Sequence, residues 1–212
     1  MVAEKKQSKS QTQSESAEEK QATRGRIGQA GQTAKAGITE SLKGLNEIES
    51  NIVDVTRKTV VDTMSAGGDV LKNGEEVSKD VLKGAISAAQ DVGTDVAVAT
   101  RSAAKGIAMG LRDVGADTGT AAKMTIRGAI TGASEIGADA ATAARRAIDG
   151  ILSATKDIGG SVEDVAKTVA TGAIEAFGDV GQTAIATGKD LMVSVVEAVK
   201  EVVSSGRNRP PR

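Results

Sequence analysis

The sequence has no cysteine, histidine, tryptophan or tyrosine, a single aromatic residue in Phe177, and no proline before Pro210. Each absence excludes something. Without cysteine there is no disulfide framework, which suits a reducing compartment. Without histidine or cysteine, the usual general base, thiol nucleophile and zinc ligands are missing, so carboxylates, lysines and hydroxyls are all that remains for chemistry. No catalytic, cofactor-binding or metal-ligating residue is nominated, and the expectation is a protein that is not an enzyme. Aromatics bury the most area per side chain. Their near absence, with a hydrophobic fraction of 39% drawn mainly from Ala, Val and Ile, argues against an ordinary compact core.

Long apolar runs are missing too. No stretch of about 18 apolar residues occurs, and Met1 to Lys6 lead into Gln and Ser, so neither a transmembrane segment nor a secretion signal is expected. Charge of one sign is also lacking: 27 Lys and Arg balance 28 Asp and Glu, for a net charge of −1. Such a chain is not built to bind nucleic acid. The reading is a cytoplasmic protein, peripheral at most to a membrane or granule.

What is present is a repeat. Residues 1–36 are rich in Lys, Glu, Gln and Ser and read as a disordered polar tail; residues 205–212, SGRNRPPR, read as a basic disordered tail. Residues 37–204 between them read as helical, with a unit of 22 residues running from about Glu40 to Ser204. At that spacing an acid is followed by Val or Ile at Glu47-Ile48, Asp69-Val70, Asp91-Val92, Asp113-Val114, Glu135-Ile136, Asp157-Ile158, Asp179-Val180 and Glu201-Val202. Ten residues after each acid comes a cation: Arg57, Lys79, Arg101, Lys123, Arg145, Lys167 and Lys189. Two glycine columns share the period, Gly84, Gly106, Gly128, Gly150 and Gly172, then Gly93, Gly115, Gly137, Gly159 and Gly181.

Twenty-two is twice eleven, and eleven residues make three turns at about 3.67 per turn, close to an unstrained α-helix. Ile86, Ala89, Val92, Val96, Ala99 and Ala103 then share one side, forming an apolar face roughly 160° wide. Period-two alternation is not sustained, and Ala favours helix over strand. The expected fold is all-α, a long amphipathic helix reaching about 250 Å if unbroken, or broken at glycine into hairpins or a bundle. The cation column lies about 115° to one side of the apolar centre and the carboxylates, with Asp95, Asp117 and Asp139, lie on the other. Parallel neighbours would therefore set an acidic flank against a basic one, and antiparallel neighbours would oppose like flanks.

The paired 11-residue repeat, the absent Cys and Trp and the small-residue apolar face resemble two groups: exchangeable lipid-surface proteins of the apolipoprotein, perilipin and synuclein type, and group 3 late embryogenesis abundant proteins. The resemblance is one of pattern over about residues 40 to 204. It implies a non-enzymatic protein coating a lipid or hydrophobic surface, such as a membrane, a droplet or, as phasin-like proteins do, a storage granule. Ile48, Val70, Val92, Val114, Ile136, Ile158, Val180 and Val202 would then be inserted and the two charge columns turned outward. Two alternatives stay open: self-association through the same face into a bundle or filament, and a stress protectant that becomes helical on drying.

Overall fold

The computed structural model describes residues 28–39, 48–67, 69–181, 193, 195–197 and 199–200. These residues are helices joined by short turns, with no strand among them. α1 covers residues 28–39, beginning inside the segment read as the polar tail. Six helices follow: α2 Ile48–Ser65, α3 Val70–Val92, α4 Val96–Asp113, α5 Thr118–Glu135, α6 Ala140–Asp157 and α7 Val162–Asp179. Residues 193, 195–197 and 199–200 are also helical.

The single long helix is therefore corrected: the repeat is a helix of 18 residues closed by a four-residue turn. Glycine causes the break. Gly93, Gly115, Gly137, Gly159 and Gly181 have φ between 69° and 101°, a left-handed conformation that costs other residues about 1–2 kcal/mol. The amide after the glycine reaches back to close the helix, as in Ala116 N–H to Leu111 O (3.0 Å) and Ala138 N–H to Ala133 O (2.9 Å). Two residues after the glycine an acid or serine caps the next helix. The Asp95 carboxylate accepts from Ala97 N–H, Asp117 from Thr120 N–H, and Asp139 from Ala141 and Thr142 N–H, while the Ser161 hydroxyl accepts from Asp164 N–H. The V/I-G-x-D/S string is thus a stop and a start in four residues.

One unit departs from this scheme. Position 71 in the turn-glycine column is Leu71, and there the chain stays helical through 92. The break has moved upstream to Gly67 at φ 115°, with Asp69 as the cap, and α3 is 23 residues long in consequence.

Consecutive helices run antiparallel: Gly74 near the start of α3 sits beside Leu111 near the end of α4. Alternate helices run parallel, since residues 53–57 of α2 meet Gly106 of α4, and Arg57 and Val60 further along meet Gly110. Each of α2 to α7 touches only the helices one and two places away; α2 does not reach α5 or α6. The result is a two-layer α-solenoid, α1, α3, α5 and α7 in one layer and α2, α4 and α6 in the other.

The apolar face is consumed by this packing. Ile86, Ala89, Ala99 and Ala103 are buried, along with Ile107, Leu111, Ile126, Ile130, Ile148, Ile151, Leu152 and Phe177. Small side chains fill the core because the layers pack closely. The buried hydroxyls of Thr56, Ser78, Thr100, Thr125 and Thr155 each donate to the carbonyl four residues back, satisfying them without a partner helix.

Candidate interaction surface

The two polar columns meet inside the molecule. Within each layer, the middle of one helix faces the first glycine column, Gly84 to Gly172, of the next-but-one helix. An added Cβ at Gly128 would lie 2.7 Å from the Lys79 nitrogen and from Ser78 Cβ; Gly106 faces Val53, Thr56 and Arg57, and Gly150 faces Arg101 and Lys105 in the same way. Gly84 meets Gly31 and Lys35, and Gly172 meets Lys123 and Ile126. These glycines let two parallel backbones come together, and a carboxylate one to two turns further on then reaches the cation.

A ladder of interhelix ion pairs follows: Lys35 to Asp91 (2.6 Å), Arg57 to Asp113, Lys79 to Glu135 (3.2 Å), Lys105 to Asp157, Lys123 to Glu175 (2.8 Å) and Arg127 to Asp179 (2.8 Å). Partners are 52 or 56 residues apart, two repeats plus two or three turns. Lys83 adds a second rung to Glu135 at 2.7 Å. Arg127, the most enclosed of these cations, binds Glu75 of α3 on one side and Glu175 and Asp179 of α7 on the other, at 2.8, 3.3 and 2.8 Å. One guanidinium thereby ties three helices of a layer.

The nominated residues divide accordingly. Val114, Ile136, Ile158 and Val180 sit in the turns, and Val92 ends α3; of these, Val114, Ile136 and Val180 are half-buried against the core and Val92 is exposed. Ile48 and Val70 start α2 and α3 and are also half-buried. Asp91, Asp113, Glu135, Asp157 and Asp179 take part in the ladder with Arg57 and Lys79, while Lys123 pairs with Glu175. Asp69 caps α3 and binds Lys72 at 3.1 Å. The side chains of Arg101 and Arg145 are exposed, and among the described residues Lys167 pairs with Glu163 and Asp164 of its own helix. Lys189 and Val202 fall outside the described residues.

Sequence reasoning missed two sets. Asp95, Asp117 and Asp139, placed by the sequence on the acidic flank, each cap the next helix; an acid two residues after glycine is the signal. Lys83, Lys105 and Arg127 form a further column 22 apart that carries much of the ladder.

Two shallow grooves of about 350 and 330 Å³ lie along these seams. The first is lined by Glu75, Lys123, Met124, Arg127 and Glu175, whose charges bind one another. The second holds Asp80, half-buried between α1 and α3, whose carboxyl is pushed up by burial, against the pull of Lys79 and Lys83. Among the described residues no acidic cluster is arranged to hold a metal ion, and no helix is long and apolar enough to cross a membrane. Comparison of the sequence with protein-family models and with curated proteins returns no match.

The ladder sets a pH dependence. Glu135 is held below the usual carboxylate range by its bond from Lys83, and Asp117 and Asp139 by the hydroxyls of Thr120 and Thr142. A depressed carboxyl contributes stability above its unfolded pKa and loses it as pH falls through its folded value. Asp80 acts oppositely, its contribution being lost as pH rises through its raised value. With Asp69 and Glu175 also held low, by bonds from Lys72 and Lys123, five stand against one, and the melting temperature should hold from pH 7 to about 5 and fall below about pH 4. Thermal melts followed by circular dichroism check this; equal midpoints at pH 5 and pH 3 would contradict it.

Proposed function

We propose that the protein is a non-enzymatic structural repeat protein of the cytoplasm, a helical scaffold that satisfies its own apolar face. The observation that supports this reading is the burial of Ile86, Ala89, Ala99, Ala103 and their counterparts between the two layers. A stripe placed there is not offered to a lipid or granule surface while the solenoid is closed. The flank pairing expected between parallel helices is used inside one chain, between helices two places apart.

The lipid-coat reading is kept as a second one for a specific reason. Four turn residues added to 18 helical ones make 22, six turns of about 3.67, so the apolar stripe would stay in phase if every turn straightened into helix. A solenoid does not need that phase, whereas a helix lying in a lipid interface does. On this reading a membrane, droplet or granule surface competes for the face that the layers share.

The absence of native cysteine makes the test direct. Spin labels at Lys58→Cys on α2 and Arg112→Cys on α4 are on exposed sites of adjacent parallel helices, whose axes lie about 10 Å apart. In a continuous helix the same residues, 112 − 58 = 54 apart, would be separated by about 80 Å. A short distance in buffer that survives neutral and anionic vesicles is the expected result for the scaffold. A long distance appearing with vesicles would replace that reading with the coat, and a non-cooperative melt in buffer would remove it.

A further inference from the structure

We infer that the C-terminal end of the solenoid is a docking site for a helix from a partner, entering parallel to α7 and carrying Gly-x3-Gly/Ala-x2-Asp/Glu.

One column carries the argument. Met64, Ile86, Ala108, Ile130 and Leu152 are 22 residues apart and are at most 5% exposed. The next two members, Ile174 and Val196, are 45% and 49% exposed, and neighbouring Val193 is 57% exposed. In α2 to α5 the flank bearing this column is covered by the helix two places on. Residues 205–212 do not keep the repeat: Pro210 and Pro211 fall 44 residues after Ala166 and Lys167, at places that are helical in α7. Lys167 changes with it. Its counterparts Arg57, Lys79 and Lys123 bind an acid on the helix two places on, whereas among the described residues Lys167 pairs with Glu163 (3.4 Å) and Asp164 (3.9 Å) of its own helix.

The interior repeats specify what fits. Each of α3 to α7 brings a small pair and then an acid to the edge it sits on: Gly84-Ala88-Asp91, Gly106-Gly110-Asp113, Gly128-Gly132-Glu135, Gly150-Ala154-Asp157 and Gly172-Ala176-Asp179. The glycine admits the backbone and the acid meets the cation.

A second copy does not satisfy this rule. On α2 the glycine place is taken by Asp62, bound to Lys58 at 2.9 Å, and 22 residues earlier it is Glu40. A carboxylate there obstructs the close approach that the interior glycines permit. Joining two C-terminal ends about a two-fold axis would set the Lys167 flank of one copy against the same flank of its mate, like charge against like. The N-terminal acids thus keep the chain from occupying its own acceptor edge, leaving it to a partner.

A labelled peptide of residues 118–137, which carries Gly128, Gly132 and Glu135, is the probe, titrated into the full-length protein by fluorescence anisotropy. Saturable binding is expected, weakened at least tenfold by Gly128→Leu in the peptide or by Ile174→Glu with Val196→Glu in the protein. Lys167→Glu should weaken it and Glu135→Lys in the peptide should restore it. Binding indifferent to these changes, or none at millimolar peptide, would overturn the inference. Sedimentation velocity supplies an independent arm: Glu40→Gly with Asp62→Gly should turn a non-stacking protein into head-to-tail oligomers. A wild-type protein that already dimerises through Ile174, or a double variant that stays unchanged, would contradict it.

Discussion

Replacing Gly106 or Gly150 by alanine should destabilise the protein by about 1–3 kcal/mol, reversing the usual sign of a glycine-to-alanine change in a helix. In an exposed helix interior, alanine is favoured by up to about 1 kcal/mol because it loses less backbone entropy. Here the methyl group has nowhere to go. At Gly106 it would land on Thr56 Oγ1 and the Val53 carbonyl, and at Gly150 on the Arg101 carbonyl. Backbone atoms in the middle of a helix cannot swing aside, so the layer must open. Separation also lengthens the ion pairs that depend on it, Arg57 to Asp113 for Gly106 and Lys105 to Asp157 for Gly150. Gly178, whose added Cβ meets nothing within 4 Å, is the control and should tolerate alanine. Urea melts of the three variants decide the matter: loss at Gly106 and Gly150 without loss at Gly178 is expected, and equal stability would mean that parallel helices within a layer are not in close contact.

The contrast between the two glycine columns shows how far the sequence could be read. The 22-residue period, the helical character, the apolar face and both charge columns were legible, because each is a matter of residue type at a fixed spacing. The two uses of glycine were not. Gly106 serves a close approach within a helix, and Gly115, nine residues later, ends that helix at φ 101°, yet glycine tolerates both conformations and the letter is the same. A period of six whole helical turns made the unbroken helix look natural. What decides against it is tertiary: an isolated amphipathic helix gains little in water until its face is covered. Folding at each Val-Gly or Ile-Gly step covers it with the chain itself. The next acid, in Asp95, Asp117 or Asp139, then finds unsatisfied helix amides to cap. The interaction surface was half legible. That acidic and basic flanks attract between parallel helices followed from the angular positions of the columns. That the parallel neighbour is the same chain two repeats on required the turns to be known.

Arg127→Glu should be the most damaging single charge change, and its effect should be concentrated at α7. Arg127 is 19% exposed and holds Glu75, Glu175 and Asp179 together. The bonds it donates to Glu75 and Asp179 raise its already high pKa, so it is charged at any usable pH. Exposed pairs elsewhere in the ladder are each worth about 0–1 kcal/mol, but a shielded guanidinium shared by three carboxylates leaves them facing one another when it is removed. Arg127→Ala should therefore cost about 2 kcal/mol, and Arg127→Glu, which adds a fourth carboxylate, more. Because each helix touches only neighbours one and two places away, the loss cannot spread evenly. Among the described helices α7 is tied to α5 and α6, so its amides should exchange with deuterium at least tenfold faster while those of α2 and α4 keep their protection. Raising salt to about 1 M, where the screening length shortens to about 3 Å, should narrow the gap between Arg127→Glu and Arg127→Ala. Uniform acceleration across all helices would show that the solenoid melts as one unit and that Arg127 is not a local tie.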